Sequence, residues 1–141
     1  MMGKINYARV IAGAIVASVF YFVADGIIHG VFLGQDHMAA ITGAGKPIEH
    51  HPTSYLYFAI FDLGKGFIAM LIYAAARPRF GAGVRTAVWA GLMAWLAIEA
   101  LPAVAAMPFP FYETSFYWKV IGLELVPMVI GAILGAWIYR E

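Results

Sequence analysis

Four apolar runs, each about 20 residues or longer, take up nearly all of this chain, and every one of them carries a carboxylate. Runs of that length cross a bilayer, where only helices or closed barrels satisfy every backbone N–H and C=O. An ionisable group at membrane depth costs at least ~2.5 kcal/mol on an insertion scale, so each acid needs a partner or a purpose. The first run, Ile5 to Leu33, holds Asp25 and His29. Four residues apart, they fall on one helix face in line with Tyr21. One position over, Gly26, Gly30 and Gly34 form a small-xxx-small stripe that admits another backbone closely.

Composition agrees with this reading. Hydrophobic residues make up 63% of the 141 and charged residues only 12%, too apolar a balance for a soluble domain of this length. A net charge of +1 excludes the strongly basic surface of a nucleic-acid binder. With no cysteine, the chain has no disulfide or thiolate chemistry. Lys4 and Arg9 precede an apolar run that is too long for a signal-peptide core and that contains Asp25, which predicts an uncleaved first helix.

The predicted fold is all-α: one domain over 1–141, an integral membrane four-helix bundle running up-down-up-down. Its helices span about 5–33, 53–76, 82–105 and 114–139. A polar loop over 34–52 holds Asp36, His37, Glu49, His50 and His51, and Arg77-Pro78 is expected to stop the second helix. Gly131 and Gly135 give the last helix the same close-packing spacing as the first. Lys4, Arg9, Arg77, Arg79, Arg85 and Arg140 all fall at one end, so the positive-inside rule predicts both termini in the cytoplasm, in a multi-pass protein of the inner (plasma) membrane.

Depth is the informative quantity. Counting from the inner basic residues places Asp25, Asp62, Glu99 and Glu124 roughly 6 to 9 Å beneath the outer boundary and Lys65 roughly 12 Å beneath it. One carboxylate per helix thus reaches the same slab. Glu99-Ala-Leu-Pro102 and Glu124-Leu-Val-Pro127 share an E-x-x-P pattern, in which each proline leaves the carbonyl of Ile98 or Leu123 without its helical donor. Asp62 and Lys65, three apart, are the expected fixed ion pair. Asp25, His29, Glu99 and Glu124 then remain for a movable charge, a proton or a cation.

Each feature also has a plainer reading. The acids and Lys65 could serve only to lock helix register, at ~0.6 kcal/mol per polar contact, or reach up to the interface. The same four residues, Asp25, His29, Glu99 and Glu124, would make a one-imidazole, three-carboxylate metal set, but neither glutamate helix has the Glu-x-x-His of the di-metal bundles. Glu49, His50, His51 and His37 could hold a metal, although a solvated loop is the more economical account. His29 could ligate a haem or chlorophyll, though a second ligand is lacking. Tyr112, Tyr117 and Trp118 suit the outer interface and Tyr7, Trp137 and Tyr139 the inner one; Trp89 and Trp95 are expected in the core.

Arg9-Val10-Ile11-Ala12-Gly13, Asp25-Gly26 and Gly30-Val31-Phe32-Leu33-Gly34 resemble the opening of uncharacterised small bacterial membrane proteins with four helices, a resemblance that implies no activity. In length and in its first-helix acid the chain is also similar to small multidrug transporters, from which it departs in charge bias, in its extra acids and in the late position of Asp25. Three readings follow: a transport or permeation protein with a buried acidic proton or cation site; a structural subunit, as a homo-oligomer or within a larger membrane complex; or a membrane enzyme using a metal. The lipid bilayer is the one partner common to all three, and no cofactor is required.

Overall fold

A computed structural model describes residues 5–46 and 51–139, and these are helical with no strand among them. Lys4, Glu49, His50 and Arg140 lie outside the described residues. Helix α1, Tyr7–Ile27, begins where the Asn6 side chain accepts the N–H of Arg9 at 3.2 Å. It runs into a π turn, Ile28–Phe32, closed by the Leu33 N–H on the carbonyl of Ile28 five residues back.

Where the sequence predicts a polar loop after this point, the chain forms helix α2, Gly34–Gly43. Met38, Ala39, Ala40 and Ile41 favour a helix over solvated coil, and Asp36 in the first turn complements the helix dipole. Helix α3 spans Thr53–Phe80 and passes through Pro78, which gives up its own hydrogen bond to Ala74 without ending the helix. The stop comes instead at Gly81, whose φ of 84° only glycine adopts readily.

Helix α4, Val84–Trp95, passes through a second π turn, Leu96–Ala100, into α5, Leu101–Ala106. Pro102 lies just past this turn, and the Leu101 N–H bonds Leu96 five residues back. Helix α6, Thr114–Ile138, runs unbroken through Pro127. The two E-x-x-P segments therefore differ: one accompanies a change of helical pitch and the other does not.

Four stretches, Tyr7–Phe32, Thr53–Phe80, Val84–Ala106 and Thr114–Ile138, are long and apolar enough to cross a membrane. Their packing is inside-out relative to a soluble bundle. Phe58, Ile60, Val31 and Val126 point outward, while Ala17, Ala69, Ala90, Ala94 and Ala132 fill the middle beside buried Asp62, Lys65 and Glu124. Small residues between helices and charges facing inward are what lipid as a solvent selects. These four helices are those of a membrane protein. Trp95 ties α4 to α6 by donating to the carbonyl of Ile121 at 2.9 Å, whereas Trp89 is 41% exposed against Phe80 instead of in the core. Tyr117 and Tyr139 are likewise buried, not part of an interfacial belt.

The closest helix approach involves Gly13, Gly66, Gly91, Gly131 and Gly135. A methyl group on Gly13 would stand 2.6 Å from the carbonyl oxygen of Gly135, and one on Gly131 would overlap the ring of Tyr21. Gly26 and Gly30, placed by sequence on a close-packing stripe, meet no other part of the chain, and Gly34 meets only the carbonyl of His29. The reason is register: α1 crosses α3 and α6 on the face bearing Gly13, Ala14, Ala17, Ser18 and Tyr21, which the stripe does not share. Gly135→Ala should therefore destabilise the protein by about 1–3 kcal/mol through overpacking, while Gly26→Ala, the same chemical change, should cost nothing. Thermal unfolding of both variants in detergent checks the contrast.

Candidate functional site

Lys65 stands on the buried face of α3, 1% exposed. Helical side chains lean toward the N-terminus of their own helix. For Lys65 that lean carries the ammonium from its deeper backbone position up to the level of the acids. Asp25 Oδ2 from α1 lies 2.7 Å from Nζ, and Glu99 Oε1 from the second π turn lies 2.9 Å away. Glu124 Oε2 of α6 is at 3.7 Å and Asp62 Oδ1 at 3.8 Å. One cation thus gathers a carboxylate from each of the four spans.

The predicted Asp62–Lys65 pair is the longest of these contacts. Both side chains lean the same way from one helix, so they keep most of the roughly 4.5 Å axial separation of an i,i+3 pair. Asp25 and Glu99, approaching from other helices, close on the ammonium freely. Asp25 also stands beside both Asp62 and Glu124. Beneath the cluster, Tyr21 lies across the bundle with its ring 5.4 Å from Nζ, and its hydroxyl donates to the carbonyl of Met128 at 3.0 Å.

Several carboxylate oxygens have no partner. Asp25 Oδ1, Asp62 Oδ1 and both oxygens of Glu124 are buried with no aligned donor, and the Glu99–Lys65 and Glu124–His29 contacts are ion pairs without hydrogen-bond alignment. Asp62 and Glu124 are 2% and 1% exposed. A single ammonium cannot balance four such carboxylates, and buried oxygens without donors are strongly disfavoured. The arrangement is therefore an acceptor for additional positive charge. It suits protons, or a small monovalent cation, better than a divalent metal. The ammonium of Lys65 occupies the centre where a divalent ion would sit, and no group of three or more acidic or histidine side chains among the described residues is disposed to hold one.

His29 lies in the first π turn and turns away from Asp25. Its Nε2 is 3.5 Å from Glu124 Oε1, and its Nδ1 is 3.0 Å from His37 Nε2. His37 Nδ1 in turn meets the Tyr112 hydroxyl at 3.0 Å. The sequence reading places His37 in a loop and Tyr112 in an aromatic belt, and joins neither to the acids. On a straight helix, residues eight apart point about 80° away from each other. The π turn and the bend at Leu33, with φ −108° and ψ 2°, bring the two imidazoles together. Phe116 stacks on Tyr112 at 4.0 Å and meets His37 edge-on at 5.2 Å, holding both rings. Lys119 and Asp36 pair at 2.9 Å over the same corner.

Burial, then the neighbouring His29, hold His37 below the ordinary histidine value of 6.5, against the opposing pull of Asp36. Burial, with Tyr117 nearby, pushes the Tyr112 hydroxyl above its usual 10.0. Both rings are thus neutral near physiological pH. A cavity of about 320 Å³ opens at the opposite end of the bundle, against Tyr73, Arg77 and Tyr139, and does not reach the acids. Compared with protein-family models, curated proteins and solved structures, the chain matches none.

Lys65→Met would strand four carboxylates and should lower stability by about 3–5 kcal/mol, well beyond the effect of Asp62→Asn; unfolding of the purified protein in detergent measures both. A second expectation concerns pH. Because the unfolded chain protonates His37 near 6.5 and the folded chain only at lower pH, this histidine's contribution to stability is complete above 6.5 and is lost as pH falls through the folded value. Protection of the α2 amides, corrected for the slower intrinsic exchange at low pH, should fall over that acidic window, and His37→Gln should flatten the dependence.

Proposed function

We propose that this chain is a small transport or permeation protein that binds protons or a monovalent cation at the carboxylate cluster around Lys65. The observation that carries the reading is the excess of acid: Asp25, Asp62, Glu99 and Glu124 surround one ammonium, with buried oxygens that have no aligned donor. Ionisable groups within a membrane bundle mark ion and proton pathways more often than simple glue. Asp25, Glu99 and Glu124 bind the movable charge in this reading, His29 assists, and Lys65 with Asp62 sets the resting balance.

The same proposal includes orientation. Contacts of Asn6 with Tyr139 and of Tyr21 with Met128 support helices that alternate in direction. The basic residues Arg9, Arg77, Arg79 and Arg85 then favour cytoplasmic termini in an inner, plasma membrane, with α2 and Tyr112 outside. The cluster falls in the outer half of the bundle.

A second reading, assembly with another copy or a larger complex, draws on Gly26 and Gly30. Both lie open, on α1 and the π turn that follows it, among exposed Val23, Ile27 and Val31. A monodisperse monomer after mild detergent extraction would remove it. For the main reading, proteoliposomes loaded with a pH-sensitive dye or a cation indicator should show flux for the wild type and a loss of roughly a hundredfold for Glu99→Gln. Equal flux in the two would overturn the proposal.

A further inference from the structure

We infer that Tyr112, His37 and His29 form a proton relay that connects the α2 end of the bundle to Glu124, so that the charge taken up by the cluster is a proton. This rests on the reading of the Lys65 cluster as a binding site and adds the route and the species. The chain of contacts is continuous: Tyr112 hydroxyl to His37 Nδ1 at 3.0 Å, His37 Nε2 to His29 Nδ1 at 3.0 Å, His29 Nε2 to Glu124 Oε1 at 3.5 Å. Each imidazole uses both ring nitrogens, one toward each neighbour.

The geometry permits a balanced transfer. In one state the Tyr112 hydroxyl donates to His37 Nδ1, His37 Nε2–H donates to His29 Nδ1, and His29 Nε2–H stands 3.5 Å from Glu124 Oε1, an ion-pair contact that tightens into a hydrogen bond when the proton passes. Glu124 takes the His29 proton, His29 Nδ1 takes that of His37, and His37 Nδ1 takes that of Tyr112. A hydronium at the surface restores the hydroxyl. One proton has entered, Glu124 is neutral, and both imidazoles carry the opposite tautomer. The reverse shift carries the proton back out; once Glu124 has passed its proton onward, rotation of both imidazole rings restores the starting tautomers. Neither histidine need hold a net charge at rest, which agrees with a neutral His37.

The groups facing the relay are few. His37 meets His29, Tyr112, Phe116 and, on its own helix, Asp36, whose charge Lys119 of α6 balances. Glu124 faces His29 on one side and Lys65 with Asp25 on the other. Tyr112, His37 and His29 are all partly exposed, His29 at 38%, whereas Glu124, 1% exposed, is reached only through them. Tyr21 and its bond to Met128 close the other direction.

Two variants test the relay. Tyr112→Phe removes one oxygen and keeps the stack on Phe116; His37→Gln keeps hydrogen bonding but cannot pass a proton between two ring nitrogens. The first readout is time-resolved infrared absorption of the Glu124 carboxyl after a pH jump in detergent, with the band assigned by its loss in Glu124→Gln. The second is proton flux in liposomes. Both variants should slow carboxyl protonation and flux by roughly a hundredfold. Wild-type rates in both would overturn the relay while Glu99→Gln still judges the cluster. If the wild type gives no flux above protein-free liposomes, the transport reading fails. The infrared rates then decide the relay alone, slowed protonation supporting it and unchanged protonation overturning it.

Discussion

The ammonium of Lys65 is the interaction on which the rest of this protein depends. Burying one lysine in a membrane bundle is unfavourable, and burying four carboxylates is worse. Set together, each relieves the other, and the relief requires all four spans, because Asp25, Asp62, Glu99 and Glu124 come from different parts of the chain. A cation that must be reached from every side fixes the relative rotation and height of the helices. It also leaves an excess of carboxylate over ammonium in the bundle interior.

Around that centre the chain uses two means of adjusting a helix. Small residues draw backbones together at Gly13, Gly66 and Gly135, where a single methyl group would collide. π turns at 28–32 and 96–100 then re-aim side chains that a straight helix would misdirect. His29 and Glu99 lie within those turns. The irregular hydrogen bonding is thus concentrated where the polar side chains are, and the remainder of each span stays regular against lipid.

This division explains what could be read from the sequence. Spans and the shared depth of the acids follow from counting residues at a fixed rise, and the four acids do meet. Partners depended on rotation, which a π turn shifts without any local signature in composition. Lys65 therefore pairs most closely with Asp25 and Glu99 instead of Asp62 three residues away. His37 was hidden for the same reason, compounded by a segment whose glycines at 34, 43 and 45 suggest a loop although Met38 to Ile41 favour helix. Nor does a small-xxx-small spacing say which face is turned inward: Gly131 and Gly135 reach the core, and Gly26 and Gly30 do not.

Tyr21 lies against the acid cluster, its ring 5.4 Å from the Lys65 ammonium. Its ring lies against bare backbone at Gly131, and its hydroxyl is committed to the Met128 carbonyl, so the space under the acids is stoppered by one aromatic plug. In the transport reading proposed above, charge reaching the cluster would meet a blind alley. Passage onward would have to uncork it, giving up the carbonyl bond and sliding the ring off glycine. In that transport reading, throughput would be set by how often that ring swings.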